Sequence, residues 1–72
     1  MGRLSGLSYR EVARRLSILG FVLYRQAKGS HEIWKHSVDG RYLTLPRHQT
    51  IKEGTLKAVL KQAGITVDEF LQ

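Results

Sequence analysis

Three times in this chain a Ser or Thr is followed three positions later by a Glu: Ser8 with Glu11, Thr50 with Glu53, and Thr66 with Glu69. This is the spacing at which a helix start satisfies its own orphan backbone amides, so each pair predicts an N-terminus. Two substantial helices are thereby fixed at opposite ends of the chain. The first is predicted over Tyr9 to Leu19, with Val12, Leu16 and Leu19 on one face and Gly20 as its stop, leaving Arg10, Arg14 and Arg15 in solvent. The second is predicted from Ile51 or Lys52 to Ala63, with Leu56, Val59, Leu60 and Ala63 at core spacing and Gly64 as C-cap. After Thr66 only a short helical turn fits, with Val67, Phe70 and Leu71 closing one edge of the core.

Between the two main helices the pattern changes to that of strands. Phe21 to Ala27 is rich in aromatic and β-branched residues, Lys28-Gly29-Ser30 permits a turn, and His31 to His36 forms a second strand. Asp39-Gly40 marks another turn before a third strand, Arg41 to Leu45, in which Leu43 and Leu45 share a face and Pro46 ends the ladder. The expected architecture is α+β: α-β-β-β-α, a three-stranded antiparallel meander with two helices on one face and a short C-terminal helical turn. The 72 residues are read as a single domain, 1–72, in which 1–7 form a loosely restrained tail. A domain this small has little room for an internal cavity and works mainly on its outside.

Charge narrows the partner. Twelve Lys and Arg stand against six Asp and Glu, giving a formal charge of +6. The excess is uneven, with six basic residues and one acidic in 1–28, three and two in 29–49, and three of each in 50–72. Such a field at one end of a folded domain points to a polyanion, and to nucleic acid before a membrane surface. The longest apolar run, Ile18 to Tyr24, is too short to cross a bilayer, and no signal-peptide pattern is present, so a cytoplasmic protein is expected. Without cysteine there is no disulfide, zinc knuckle or thiolate nucleophile.

The chemistry concentrates in Lys28-Gly29-Ser30-His31. An imidazole exchanges protons near neutrality, as a general acid or base must. Here it stands beside a cation and a glycine that lets backbone amides approach a phosphate. Taken alone, a histidine after a glycine turn is most often just a solvated polar residue. His36 falls on the opposite strand face from His31, which argues against a shared metal site within the strand. His48 lies in the loop after Pro46, where it could reach RNA but reads first as an ordinary loop histidine. Arg10 and Arg14 on the first helix, and the like-charged i,i+4 pair Lys57 and Lys61 on the second, are candidate phosphate contacts. Trp34 is expected in the core, and Tyr24 is a possible stacking residue.

The string Lys28-Gly29-Ser30-His31, with Asp39-Gly40-Arg41, Pro46 and the stretch Gly54-Thr55-Leu56-Lys57-Ala58-Val59-Leu60-Lys61-Gln62-Ala63-Gly64-Ile65, resembles the HicA family over nearly the whole chain. The resemblance implies a toxin of a type II toxin–antitoxin pair with a double-stranded-RNA-binding-domain-like fold. It also implies an mRNA interferase that cleaves RNA without metal or other cofactor and is held by a HicB-type antitoxin. The family's functional histidine carries over onto His31, with Gly29 and Ser30 in place, while a second histidine often found next is here Glu32. The competing expectations are a noncatalytic RNA-binding module and a protein-interaction domain covered by an acidic partner. A monomer is expected when the protein is free.

Overall fold

The first helix begins where Ser8 can cap it. In the computed structural model, which describes residues 3–72, the Ser8 hydroxyl accepts from the Glu11 amide at 3.1 Å and α1 runs over Tyr9–Ile18. The reciprocal half of that capping box is absent, because the Glu11 carboxylate takes Arg14 at 2.7 Å and Arg15 at 2.8 Å instead. These guanidinium groups, Arg14 foremost, hold the Glu11 carboxyl below the usual carboxylate range. Gly20 then turns the chain at φ +96°, and β1 (Phe21–Gln26) starts immediately.

β2 (His31–His36) pairs antiparallel with both β1 and β3 (Tyr42–Pro46), giving the sheet order β1-β2-β3. The register slips between Leu23 and Arg25, so Tyr24 sits on a bulge. Alternation along β2 sends Glu32 and Trp34 to one face and His31, Ile33 and Lys35 to the other. The first face is the covered one: α1 packs on β1 and α2 (Glu53–Ala63) on β3, as expected. Val12, Leu16, Phe21, Trp34, Leu43 and Leu45 meet Leu56, Val59, Leu60 and Ala63 there with almost no exposure. Each buried Val, Leu or Phe among them contributes roughly 1.5–3 kcal/mol by leaving water.

Three local expectations are corrected. Thr50 does not cap α2: Lys52 holds the cap position without a side-chain bond, and Thr50 forms an isolated antiparallel bridge with Ser8. The cause is Ile51, which is buried and whose amide donates to Leu7 at 2.9 Å, holding the segment extended through the point where a helix would begin. The same pairing orders the stretch read as a tail. Leu4 is 1% exposed within the core, and Arg3 reaches Asp68 at 2.8 Å. The part of that expectation falling on residues 1 and 2 lies outside the described residues. Arg15, finally, is half-buried and not free in solvent: its guanidinium lies 6.0 Å from the Phe70 ring centroid and donates to the Phe70 carbonyl at 3.2 Å.

α3 (Val67–Leu71) carries the complete capping box, with Glu69 donating its amide to Thr66 Oγ1 at 3.1 Å and accepting from the Thr66 amide at 2.9 Å. Those two bonds keep the Glu69 carboxyl below its ordinary range and aim Phe70 into the core. His36 is structural. Its Nε2 meets the Leu19 carbonyl at 3.0 Å, its Nδ1 accepts from the amides of Val38 and Asp39, and its ring stands edge-on to Phe21. No helix among the described residues is long and apolar enough to cross a membrane.

Candidate functional site

The β1–β2 connection is short enough to require a left-handed residue, and Gly29 supplies it at φ +74°. The Ala27 amide closes the hairpin onto the His31 carbonyl at 2.8 Å. Lys28, Gly29, Ser30 and His31 therefore occupy one exposed turn. His31 Nδ1 lies 3.4 Å from the Lys28 carbonyl, and in the neutral tautomer with its hydrogen on Nδ1 the ring faces that carbonyl as a donor and keeps a lone pair at Nε2. An accessible imidazole in that tautomer is equipped to accept a proton at Nε2.

A second segment is latched to this turn. Pro46 pairs with His31 across the sheet, and the Arg47 amide donates to the Ser30 carbonyl at 2.6 Å. Arg47 is thereby placed between two clefts, with its guanidinium 5.5 Å from the Tyr9 ring centroid. One cleft, of about 190 Å³, is lined by Gln26, Gly29, Ser30, Glu32 and Arg47. The other, of about 320 Å³, is lined by Ser8, Tyr9, Arg10, Arg47, His48 and Gln49. Together they form a basic furrow from the hairpin turn to the start of α1. Its cations are Arg10 and Arg47.

Beneath the furrow lies Glu32, 2% exposed. Its Oε1 accepts from the Tyr9 hydroxyl at 2.5 Å and from the Trp34 indole at 3.2 Å. Burial first, and then the hydrogen bond to Glu32 and its charge, push Tyr9 up to about 12, against the lowering influence of Arg47. Glu32 thus acts as a tie between α1 and the sheet. Because it is adjacent to His31 in a strand, it faces away from the imidazole.

The other expected contacts are dispersed. Arg10 joins the furrow, whereas Arg14 lies a turn further along α1 in its ion pair with Glu11. Lys57 and Lys61 ride on α2, outside both clefts, and Lys57 stands 4.0 Å from Glu53. Trp34 is in the core, as expected, while Tyr24 is 60% exposed on the opposite sheet face. Sequence reasoning missed Arg47, Tyr9 and Glu32. Arg47 alone carried a signal, as a cation directly after the proline that ends β3. Among the described residues no three His, Asp or Glu side chains converge on a point that could hold a metal ion.

Comparison with curated proteins gave no match. The family model described as HicA toxin of bacterial toxin-antitoxin matches residues 9–65, from the first residue of α1 to Ile65 just after α2. That span contains the hairpin turn, the latched Arg47 segment and both main helices, so the chain belongs to the HicA toxin family of bacterial toxin–antitoxin systems.

Proposed function

We propose that this toxin is a metal-independent endoribonuclease, an mRNA interferase, in which His31 serves as general acid and base and the ribose 2′-hydroxyl as nucleophile. The observation that carries this reading is the exposed imidazole with Nδ1 turned to the Lys28 carbonyl and Nε2 open, on a turn that also presents Lys28 and adjoins Arg47. RNA contains its own nucleophile, so the protein need only move protons, align the phosphodiester and offset charge.

In the proposed reaction His31 Nε2 takes the 2′-hydroxyl proton as that oxygen attacks the adjacent phosphorus. The bond from phosphorus to the 5′-oxygen breaks, and the departing oxygen takes up the proton then held on His31, relayed by solvent, which returns the imidazole to its neutral form. The products are a 2′,3′-cyclic phosphate and a 5′-hydroxyl. Lys28 and the amides at Gly29 and Ser30 neutralise the phosphate oxygens. Arg10 and Arg47 hold the strand nearby, and Arg14, Lys57 and Lys61 contribute long-range attraction. The partner expected to silence the toxin is an acidic, HicB-type antitoxin that covers this surface. Incubating purified protein with single-stranded RNA in EDTA tests the reading. Cleavage should persist, and His31→Ala should lower it by at least the roughly 10²–10⁴-fold that proton transfer contributes. Binding without scission would instead describe an RNA-binding module.

A further inference from the structure

The helices cover only one face of the sheet. The other presents Val22, Tyr24 and Tyr42 at 53%, 60% and 59% exposure, an unusually apolar surface to leave in water. Tyr24, Arg25, Ile33, Lys35 and Tyr42 line an open cleft of about 260 Å³ there. The Lys35 ammonium lies 5.1 Å from the Tyr24 ring centroid, and Tyr42 is its neighbour across the β2–β3 ladder. The cleft is thus two phenol rings with cations between them.

We propose that this open face is a stacking platform for single-stranded RNA, with bases on Tyr24 and Tyr42 and phosphates at Arg25 and Lys35, leading the strand to His31. This inference rests on the reading of RNA as the substrate. Three features single out an RNA strand as the occupant. The only acidic side chain in the three strands is Glu32, which is buried under the other face, so nothing here repels a polyanion. Exposed aromatic rings bind any base through its π-face, and a duplex hides those faces. Continuity with the candidate site is the third feature. His31, Ile33 and Lys35 project from the same side of β2 at a strand rise of about 3.3 Å per residue, so the imidazole stands roughly 13 Å along the strand from the lysine. A strand lying across the tyrosines reaches the imidazole without crossing the sheet edge.

Fluorescence anisotropy with a labelled 2′-O-methyl oligouridylate tests this in the otherwise wild-type protein. That probe lacks the nucleophilic hydroxyl, so binding is read independently of cleavage, and an inactive nuclease would not disturb the result. Tyr24→Leu and Tyr42→Leu should each weaken binding about 5- to 100-fold, while the corresponding Phe variants retain it. Lys35→Gln should reduce the salt slope by about 0.7. Binding of an RNA duplex should not respond to the tyrosine changes. Unchanged affinity in the folded Leu double variant would overturn the proposal. So would equal, tyrosine-dependent binding of polyglutamate, which would mark an acidic protein as the occupant. A dimer in sedimentation that Tyr42→Leu dissolves would overturn it in favour of a second copy of this chain.

Discussion

The Tyr9 hydroxyl donates to Glu32 Oε1 at 2.5 Å, joining the first turn of α1 to a carboxylate buried under the middle strand. With Tyr9 pushed up to about 12, the folded protein binds that phenolic proton more tightly than the unfolded chain, whose tyrosines ionise near ~10. Between those values the unfolded state has fewer protons bound, so the contribution is fully present below about pH 10 and is lost as pH rises toward 12. Tyrosinate absorbance should show a phase near pH 12 that Tyr9→Phe removes. Thermal melts across that window should lose part of their alkaline slope in the same variant.

Glu32 should matter more as an acceptor than as a charge. Glu32→Gln retains an oxygen for Tyr9 and Trp34, whereas Glu32→Ala leaves a buried indole N–H and a part-buried hydroxyl without a partner. We expect the alanine variant to lose about 2–4 kcal/mol in chemical denaturation and the glutamine variant no more than about half of that.

Gly20 and Gly29 both have positive φ, but they differ in space. A Cβ at Gly20 would stand 2.8 Å from His36 Nε2, in the ring that holds the Leu19 carbonyl, whereas one at Gly29 meets nothing nearer than 4.0 Å. Both alanine variants should incur the backbone penalty of about 1–2 kcal/mol, and Gly20→Ala should cost at least about 1 kcal/mol more because His36 must move. Equal unfolding midpoints would show that His36 yields without cost.

Most of the architecture was legible because local chemistry and burial agree. The Ser8 and Thr66 caps, the glycine turns, and the spacing of Leu56, Val59, Leu60 and Ala63 place all six elements within a residue or two. The Thr50 signal failed where tertiary structure competed: burial of Ile51 and pairing with residues 7 and 8 outweigh one capping bond. Leu4 was not legible as core, because two leucines in a stretch of seven residues are too few to set a helix or strand period. At the candidate site, the Lys28–His31 turn could be read from four consecutive residues. The furrow could not, because Tyr9, Glu32 and Arg47 come from a helix, a strand and a loop and meet only once the sheet and α1 are assembled.

Arg47 is the cation most directly placed beside the turn, yet it forms no ion pair among the described residues. Arg47→Ala should weaken single-stranded RNA binding uniformly across sequences and reduce the slope of log affinity against log salt by about 0.7–1. Arg14→Ala, which removes a cation already paired with Glu11, should change that slope less. A salt series with both variants distinguishes the furrow from a general basic field.

The central claim concerns how the RNA backbone is broken, and the product ends test it most directly. Wild-type protein incubated with single-stranded RNA in EDTA should generate 2′,3′-cyclic phosphate and 5′-hydroxyl termini, and folded His31→Ala should generate none above background. Termini bearing 5′-phosphate and 3′-hydroxyl, or undiminished cleavage by the His31→Ala variant, would contradict the account.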